Sequence, residues 1–435
     1  MMDFLLDTLP RKLMVATAAA AAAAGLSLLL ARQFQVERLS SEGTAESLGR
    51  AIALQPENAE LHNRLGRMLL FTAEGDPARS AMELERAAAL DPRSGRFWVD
   101  VSMAREMSGD MPGAQKALER ARAAEPRTPF FLWQQMNFAL RSGANQQAID
   151  MGRELLAQAP EYTLRALPLL AQFADMRALV ETVVPQVPTA LAATIEYLCN
   201  IDQAEAAQPA WERLVALGNP PPPYVLRRYV DTLLNKGALA PARKAWTESI
   251  RRGWVEGDAE ALSEPLYNAD FRRPLLNFGF DWRVLPHPEA SAWIEARGPQ
   301  PGQQSLCVQF ADGARAEYYH LRHLIPVQPD TVYSLHGELK TNRLLSRSGA
   351  YLEAAEVQPK PHAGITTLPL MGSSSWEEVS FRLTTSPEAQ LVLLTLIRPA
   401  PIASEPPASG LVCLANLEWK ALGPASLQNV GRTGR

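Results

Sequence analysis

Apolar positions along the chain fall into three regimes. Residues Leu13 to Ala31, "LMVATAAAAAAAGLSLLLA", carry no charge. From about 44 to 253, apolar residues recur at spacings of three and four, the pattern of amphipathic helices with one buried face. After Leu262 the spacing drops to two: "QSLCVQF", "YYHLRHLIPV", "TVYSLHGEL", "WEEVSFRL", "QLVLLTLI" and "GLVCLANLEWKAL" alternate between apolar and polar positions and predict strands. The chain therefore reads as one long apolar helix, a helical region and an all-β domain of sandwich type.

The uncharged run is long enough to cross the hydrocarbon layer of a bilayer. Arg11 and Lys12 stand just before it, and basic residues on the short leading side keep that end in the cytoplasm. This predicts a cytoplasmic tail over 1–12, a transmembrane anchor over 13–31 and a linker over 32–43, with the bulk periplasmic. A cleaved signal peptide is the rival reading, but the apolar stretch continues through "GLSLLLA" beyond the alanine run, longer than a signal core.

Within the helical region Gly109, Ala114 and Pro126 return as Gly143, Ala148 and Pro160, each pair 34 apart (143 − 109, 148 − 114, 160 − 126). A fixed period of this length marks stacked helical hairpins. With Leu65, Gly66, Trp98 and Trp133 in the first helices and Asp-Pro or Glu-Pro at the ends, the segment resembles tetratricopeptide repeats. The resemblance implies an α-solenoid over 44–253, of five or six hairpins, with clean landmarks lost after 161. It also implies a concave protein-binding groove lined by Asn63, Arg67, Arg96, Val99, Met103, Phe130, Trp133 and Asn137. Arg67 and Asn63 aside, that lining suits an apolar segment of a partner protein better than a terminal carboxylate.

A linker over 254–264 leads to the β-domain, 265–425, and a flexible tail over 426–435 ends the chain. "YNADFRRPLLNFGFDWRV" at 267–284, with "QPDTVYSL" and "SSSWEEVSF", resembles the opening and inner strands of carbohydrate-binding, galactose-binding-like jelly-roll modules. Members of that group often hold a structural calcium ion. The corresponding positions here are Arg272 and Ala415, which cannot ligate it, so no metal is expected. Period-2 reasoning sends Leu321, Ile325, Tyr333, Leu335 and Leu339 into the core, with Trp282 and Trp376 also read as core. If the "QPD" turn pairs the strands as a hairpin, Tyr318, His320 and Arg322 point outward beside Ser334, His336 and Glu338. Such an aromatic ring among donors and acceptors is what a glycan site needs.

Composition narrows the function. The net charge is −4 and no basic block tracks a phosphate backbone, which argues against nucleic acid. Cys199, Cys307 and Cys413 form no metal-ligand spacing. Cys307 and Cys413 fall in strands of one domain and either pair or stay as buried thiols, the latter being the simpler reading. No nucleophile elbow, phosphate loop or HExxH motif is present, although His320, His323 and His336 lie near Glu338. The expectation is a non-enzymatic scaffold without a cofactor, anchored in the membrane. It would bind protein, with polysaccharide as a second candidate partner, in envelope or exopolysaccharide assembly.

Overall fold

The structure is a computed structural model and describes residues 9–72, 75–359, 361–362, 364–402 and 407–425. The expected tail at 426–435 and residues 1–8 lie outside the described residues. The chain divides into two compact units, Met1–Pro185 and Gln186–Arg435.

The first unit opens with α1 (Leu9–Glu42), 34 residues long, whose apolar part is exposed on all sides. The expected linker at 32–43 is instead helical as far as Glu42, because those residues pack and bond like an array helix. Val36 is buried against Leu48 and Ala51 of α2 (Ala45–Leu54), and the Gln55 amide donates to Gln33 Oε1 at 2.8 Å. Arg32 donates to the Leu54 carbonyl, and Arg64 to the Ser40 carbonyl at 2.8 Å. Thr44 and Ser47 cap α2 reciprocally, satisfying donors that the first turn leaves free.

Four further hairpins follow in this unit: α3 (Ala59–Phe71) with α4 (Pro77–Leu90), α5 (Gly95–Met107) with α6 (Met111–Ala124), α7 (Pro129–Arg141) with α8 (Asn145–Gln158), and the short α9 (Thr163–Leu170) with α10 (Met176–Thr182). The landmarks now have physical reasons. Gly109 and Gly143 lie just past the ends of α5 and α7 at φ +83° and +76°, a left-handed conformation that side chains resist. Asp110 then caps α6 by accepting from the Gly113 amide at 2.9 Å. Ala114 and Ala148 are fully buried at helix crossings, and a Cβ on Gly66 would stand 2.6 Å from Leu84. The closing Pro92 leaves its carbonyl to the Trp98 indole at 3.0 Å. Ion pairs join successive hairpins: Arg96 to Glu60, Arg141 to Glu106 at 2.6 Å and Arg122 to Glu154. Exposed pairs of this kind contribute at most about 1 kcal/mol each, so they set register more than stability. The landmarks fade after 161 because α9 and α10 span only eight and seven residues and Pro168 sits inside α9.

The second unit joins two hairpins to the β-domain. They are α11 (Pro188–Asn200) with α12 (Gln208–Leu217) and α13 (Pro223–Asn235) with α14 (Leu239–Arg251). With α1–α2, the described residues contain seven hairpins rather than five or six. No detached module begins at 265: Trp246 of α14 packs against Tyr267, Phe278 and Phe280 at ring separations of 5.7, 5.0 and 6.3 Å. Asp231 of α13 accepts from the Gly279 amide at 2.9 Å and from Arg283 at 2.7 Å. Gly279 has φ +62°, and a Cβ there would lie 2.4 Å from the Trp246 ring.

The strands are β1 (Arg283–Val284), β2 (Ala290–Glu295), β3 (Ser305–Ala314), β4 (Tyr318–Pro326), β5 (Thr331–Leu345), β6 (Tyr351–Gln358), β7 (Ile365–Thr366), β8 (Gly372–Thr384), β9 (Leu391–Arg398) and β10 (Ala408–Pro424). They form two five-stranded antiparallel sheets, β1-β4-β9-β6-β7 and β2-β3-β10-β5-β8. Within these, β3-β10-β5-β8 faces β4-β9-β6-β7, the strand order of a jelly roll. Trp282, Phe310, Tyr318, Leu321, Leu335, Leu394 and Leu414 fill the space between the sheets. Trp376 is not among them: it is half-buried on β8, with the Lys340 ammonium 6.0 Å from its ring.

Cys307 and Cys413 form a disulfide, so the buried-thiol reading is corrected. The two residues stand directly opposite each other in the β3–β10 ladder, on the side of the strands away from Val308 and Val412. Cys199 is a free, buried thiol, pushed up to about 11 chiefly by burial.

Candidate functional site

The groove residues divide by what holds them. Asn63 is buried and donates to Asp100 Oδ2 at 2.8 Å, bolting α3 to α5. Arg67 stands 3.8 Å from the same carboxylate, and Arg96 is paired with Glu60. Burial pushes the Asp100 carboxyl up, against the opposing pull of the Asn63 amide and the Arg67 and Arg96 charges. Val99 is buried with Ala114 and Leu118, so it supports the groove rather than lining it. The Asn137 amide donates to the Trp133 carbonyl of its own helix at 2.8 Å. Phe130 is 40% exposed, while Met103 and Trp133 are half-buried, Trp133 with its ring 5.6 Å from Tyr162. The groove's polar groups are thus largely engaged within the array, although Arg67 and Arg96 keep about half of their side-chain surface exposed beside Phe130.

The residues proposed for a glycan site do not come together. β4 and β5 are not a hairpin but belong to opposite sheets, because a jelly roll passes the chain from one sheet to the other. Tyr318, His320 and Arg322 lie on one sheet, and Ser334, His336 and Glu338 on the other. Tyr318, expected outside, is 1% exposed in the core. From Tyr318 to Leu321 is three residues on β4, opposite two on β9 from Arg398 to Leu396, so β4 carries one extra residue. That bulge turns Tyr318 inward and Tyr319 outward. Ser334 is buried, His336 is exposed, and Glu338 accepts from the Asn416 amide at 2.6 Å. His323 is buried in the core, its Nε2 3.1 Å from the Tyr267 carbonyl.

The bulge assembles a different cluster on the outer face of β4. Tyr319, 42% exposed, stacks on His320 at 4.6 Å and 29°. The Arg322 guanidinium lies 4.8 Å over the Tyr319 ring, and its Nε donates to the Tyr319 carbonyl at 2.6 Å. His287, from the β1–β2 connection, stands 4.6 Å from His320. Burial holds the His320 imidazole below its usual range, with the His287 and Arg322 charges adding to the effect. An exposed ring, a guanidinium and two imidazoles offer a stacking surface with donors and acceptors around it. Sequence reasoning missed Tyr319 and His287. The doubled tyrosine at 318–319 was the available signal, since one of two adjacent rings in a strand must face out.

The jelly roll's opening motif is structural. Asn268 takes φ +55°, its side chain bridges the Arg273 amide and carbonyl at 3.2 and 3.1 Å, and its carbonyl accepts from the Trp282 indole. Arg272 is paired with Asp270 at the surface, and Ala415 is fully buried in β10.

No family model and no curated protein matches this chain. Among solved structures, the chain is similar to the tetratricopeptide protein YrrB, described as having an unusual peptide-binding site, at 13% identity and TM-score 0.28 over 49% of this chain and 95% of that one. It is similar to a family 4 carbohydrate-binding module, CBM4, at 12% identity and TM-score 0.27 over 36% of this chain and 99% of that one. It is also similar to the enzymatically active domain of tailspike protein 4 of bacteriophage CBA120, at 11% identity and TM-score 0.29; this match covers 37% of this chain and 22% of the tailspike chain. At these scores none of the likenesses carries weight for function. The helical array and the sandwich rest on the chain's own geometry.

Proposed function

We propose that this protein is a non-enzymatic, membrane-anchored scaffold of the cell envelope, with its N-terminus in the cytoplasm and the helical array and sandwich in the periplasm. The observation that carries the reading is α1. One helix is apolar and long enough to cross a membrane, and it continues without a break into the first hairpin of the array. A leader destined for removal has no need of that continuity. The Cys307–Cys413 disulfide supports the same placement, since such bonds persist in oxidising compartments. The array's groove takes an apolar segment of a partner protein, and the Tyr319–His320–Arg322 face takes sugar, in the service of envelope or exopolysaccharide assembly. The dispersal of the other glycan residues favours a second reading, in which the sandwich is purely structural and the protein is a protein-binding assembly factor.

The test is a periplasm-active reporter fused after Arg435, together with mass analysis of the membrane-bound chain. Reporter activity with an intact N-terminus is expected. Activity only from a cytoplasmic reporter, or a chain cleaved near the alanine run, overturns the anchor.

A further inference from the structure

Below the array's first two hairpins lies a pocket whose walls differ in chemistry. One wall is Leu26, Leu29 and Leu30 of α1; the other is the hairpin ends around Gln55–Glu60 and Asp91–Ser94, and the cavity volume is about 1130 Å³. The helix geometry dictates its depth. The α2 end is pinned level with Arg32 and Gln33 by the bonds to Leu54 and Gln55. From Leu26 to Leu30 a helix rises about 6 Å. The headgroup layer on each side of a bilayer is also roughly 5–7 Å thick. With α1 as the span, those leucines stand at the interface and the hairpin ends reach into the headgroup layer. Water does not suit the leucine wall, nor acyl chain the polar one; an amphiphile suits both.

Charge selects among headgroups. Glu57, Glu60 and Asp91 face the pocket against Arg32 and Arg96. Arg96 is paired with Glu60 and Arg86 with Glu57 at 3.3 Å, so Asp91 and Arg32 are the carboxylate and the guanidinium of the pocket that stand outside these two ion pairs. A headgroup with only negative charge leaves Asp91 unmatched, whereas one with a primary ammonium offers that carboxylate hydrogen-bond donors and leaves its phosphate to Arg32.

We infer that this juxtamembrane pocket binds the headgroup of a zwitterionic phospholipid carrying a primary ammonium, that is, a phosphatidylethanolamine. The inference rests on the membrane-anchor reading, and its test separates the two. The full chain is placed in nanodiscs of phosphatidylcholine, alone or mixed with phosphatidylethanolamine or phosphatidylglycerol, and retained lipids are measured by native mass spectrometry. Phosphatidylethanolamine should be retained several-fold over both others, because the trimethylated choline cannot donate hydrogen bonds and glycerol adds no cation. Glu57→Gln with Asp91→Asn should abolish that preference while helix content stays unchanged. Equal retention of the three lipids, or a preference untouched by the double substitution, overturns the headgroup site. A bimane probe at Ala21→Cys, read with brominated acyl chains, reports the anchor itself. Quenching without lipid preference removes only the headgroup proposal; no quenching removes both.

Discussion

Reducing the Cys307–Cys413 disulfide should destabilise the sandwich by an amount set by the chain it encloses. The bridge spans a sequence separation of 106 residues. By the chain-entropy relation, closing such a loop removes about 16 cal/mol/K from the unfolded state, or about 4.8 kcal/mol at 25 °C. That figure is an upper value, because β3 and β10 are hydrogen-bonded neighbours and residual structure in the unfolded chain lowers the gain; measured losses for native disulfides are about 2–5 kcal/mol. The assay is urea unfolding followed by tryptophan fluorescence on oxidised protein, reduced protein and Cys307→Ala/Cys413→Ala. With m toward the upper end of the usual range of about 1–3 kcal/mol/M, the full effect moves the midpoint by about 1.6 M. Cys199, buried and held as a thiol, should stay silent to alkylating reagents in the native state. Coincident midpoints for oxidised and reduced protein, or two alkylatable thiols at 307 and 413 in chain isolated from envelopes, would refute the reasoning.

The bulge in β4 predicts opposite outcomes at adjacent tyrosines: Tyr318→Ala should cost about 3–5 kcal/mol of stability, as for other buried aromatics, whereas Tyr319→Ala should leave the melting temperature unchanged and weaken retention on a cognate polysaccharide. Equal melting curves for the two variants would contradict the assigned faces. In the array, Ala148→Leu should overpack a fully buried crossing and cost about 1–3 kcal/mol by thermal unfolding; an unchanged transition counts against the hairpin contact. Burial holds His323 down to about 4 and pushes Asp281 up to about 6. The unfolded chain takes up the histidine proton first, so that group loses stability as pH falls from 6.5 toward 4; the folded chain keeps the Asp281 proton longer, so that group loses stability as pH rises from 3.8 toward 6. The slopes oppose, and Asp281→Asn should expose the histidine contribution as a loss of about 3 kcal/mol between pH 6.5 and 4 in denaturant titrations. A flat profile in that variant would show that His323 is not buried neutral.

The hairpins from 57 to 160 were legible because each landmark answers a local demand: a left-handed glycine, a capping aspartate, an alanine at a crossing. The six long strands were legible from alternation alone, but β1, β2, β6 and β7 were not: β1 and β7 have two residues each, and "YLEAAEVQ" of β6 carries alanines and glutamates that suit a helix equally. Alternation assigned Leu321, Ile325, Leu335 and Leu339 to the core correctly, and failed at Tyr318, where one inserted residue shifts the parity. The candidate glycan site failed for a non-local reason. Which sheet a strand joins is decided by the whole jelly-roll path, and a short "QPD" turn between β4 and β5 reads locally as a hairpin. Cysteine pairing is likewise non-local: the β3–β10 register that sets 307 against 413 is invisible in either strand by itself.

The contact between Trp246 and the β-domain closes the C-terminal end of the repeat array. A solenoid ordinarily ends in an exposed stacking face, which would accept another repeat and which needs a polar terminal unit to stay soluble. Here the last stacking face is occupied: Trp246 is 2% exposed beneath Tyr267, Phe278 and Phe280, and Gly279 leaves no room for a side chain between them. Duplication of hairpins, the ordinary route by which such arrays grow, is therefore open before α13 but closed after α14. Recombination at the apparent joint near 254 would strand roughly 150–250 Å² of indole surface in water on one side and the facing phenyl rings on the other. The gene has one natural place for lengthening the groove, upstream of the segment encoding α13, and variants of different reach should differ there while keeping the last hairpin and the sandwich as one inherited piece.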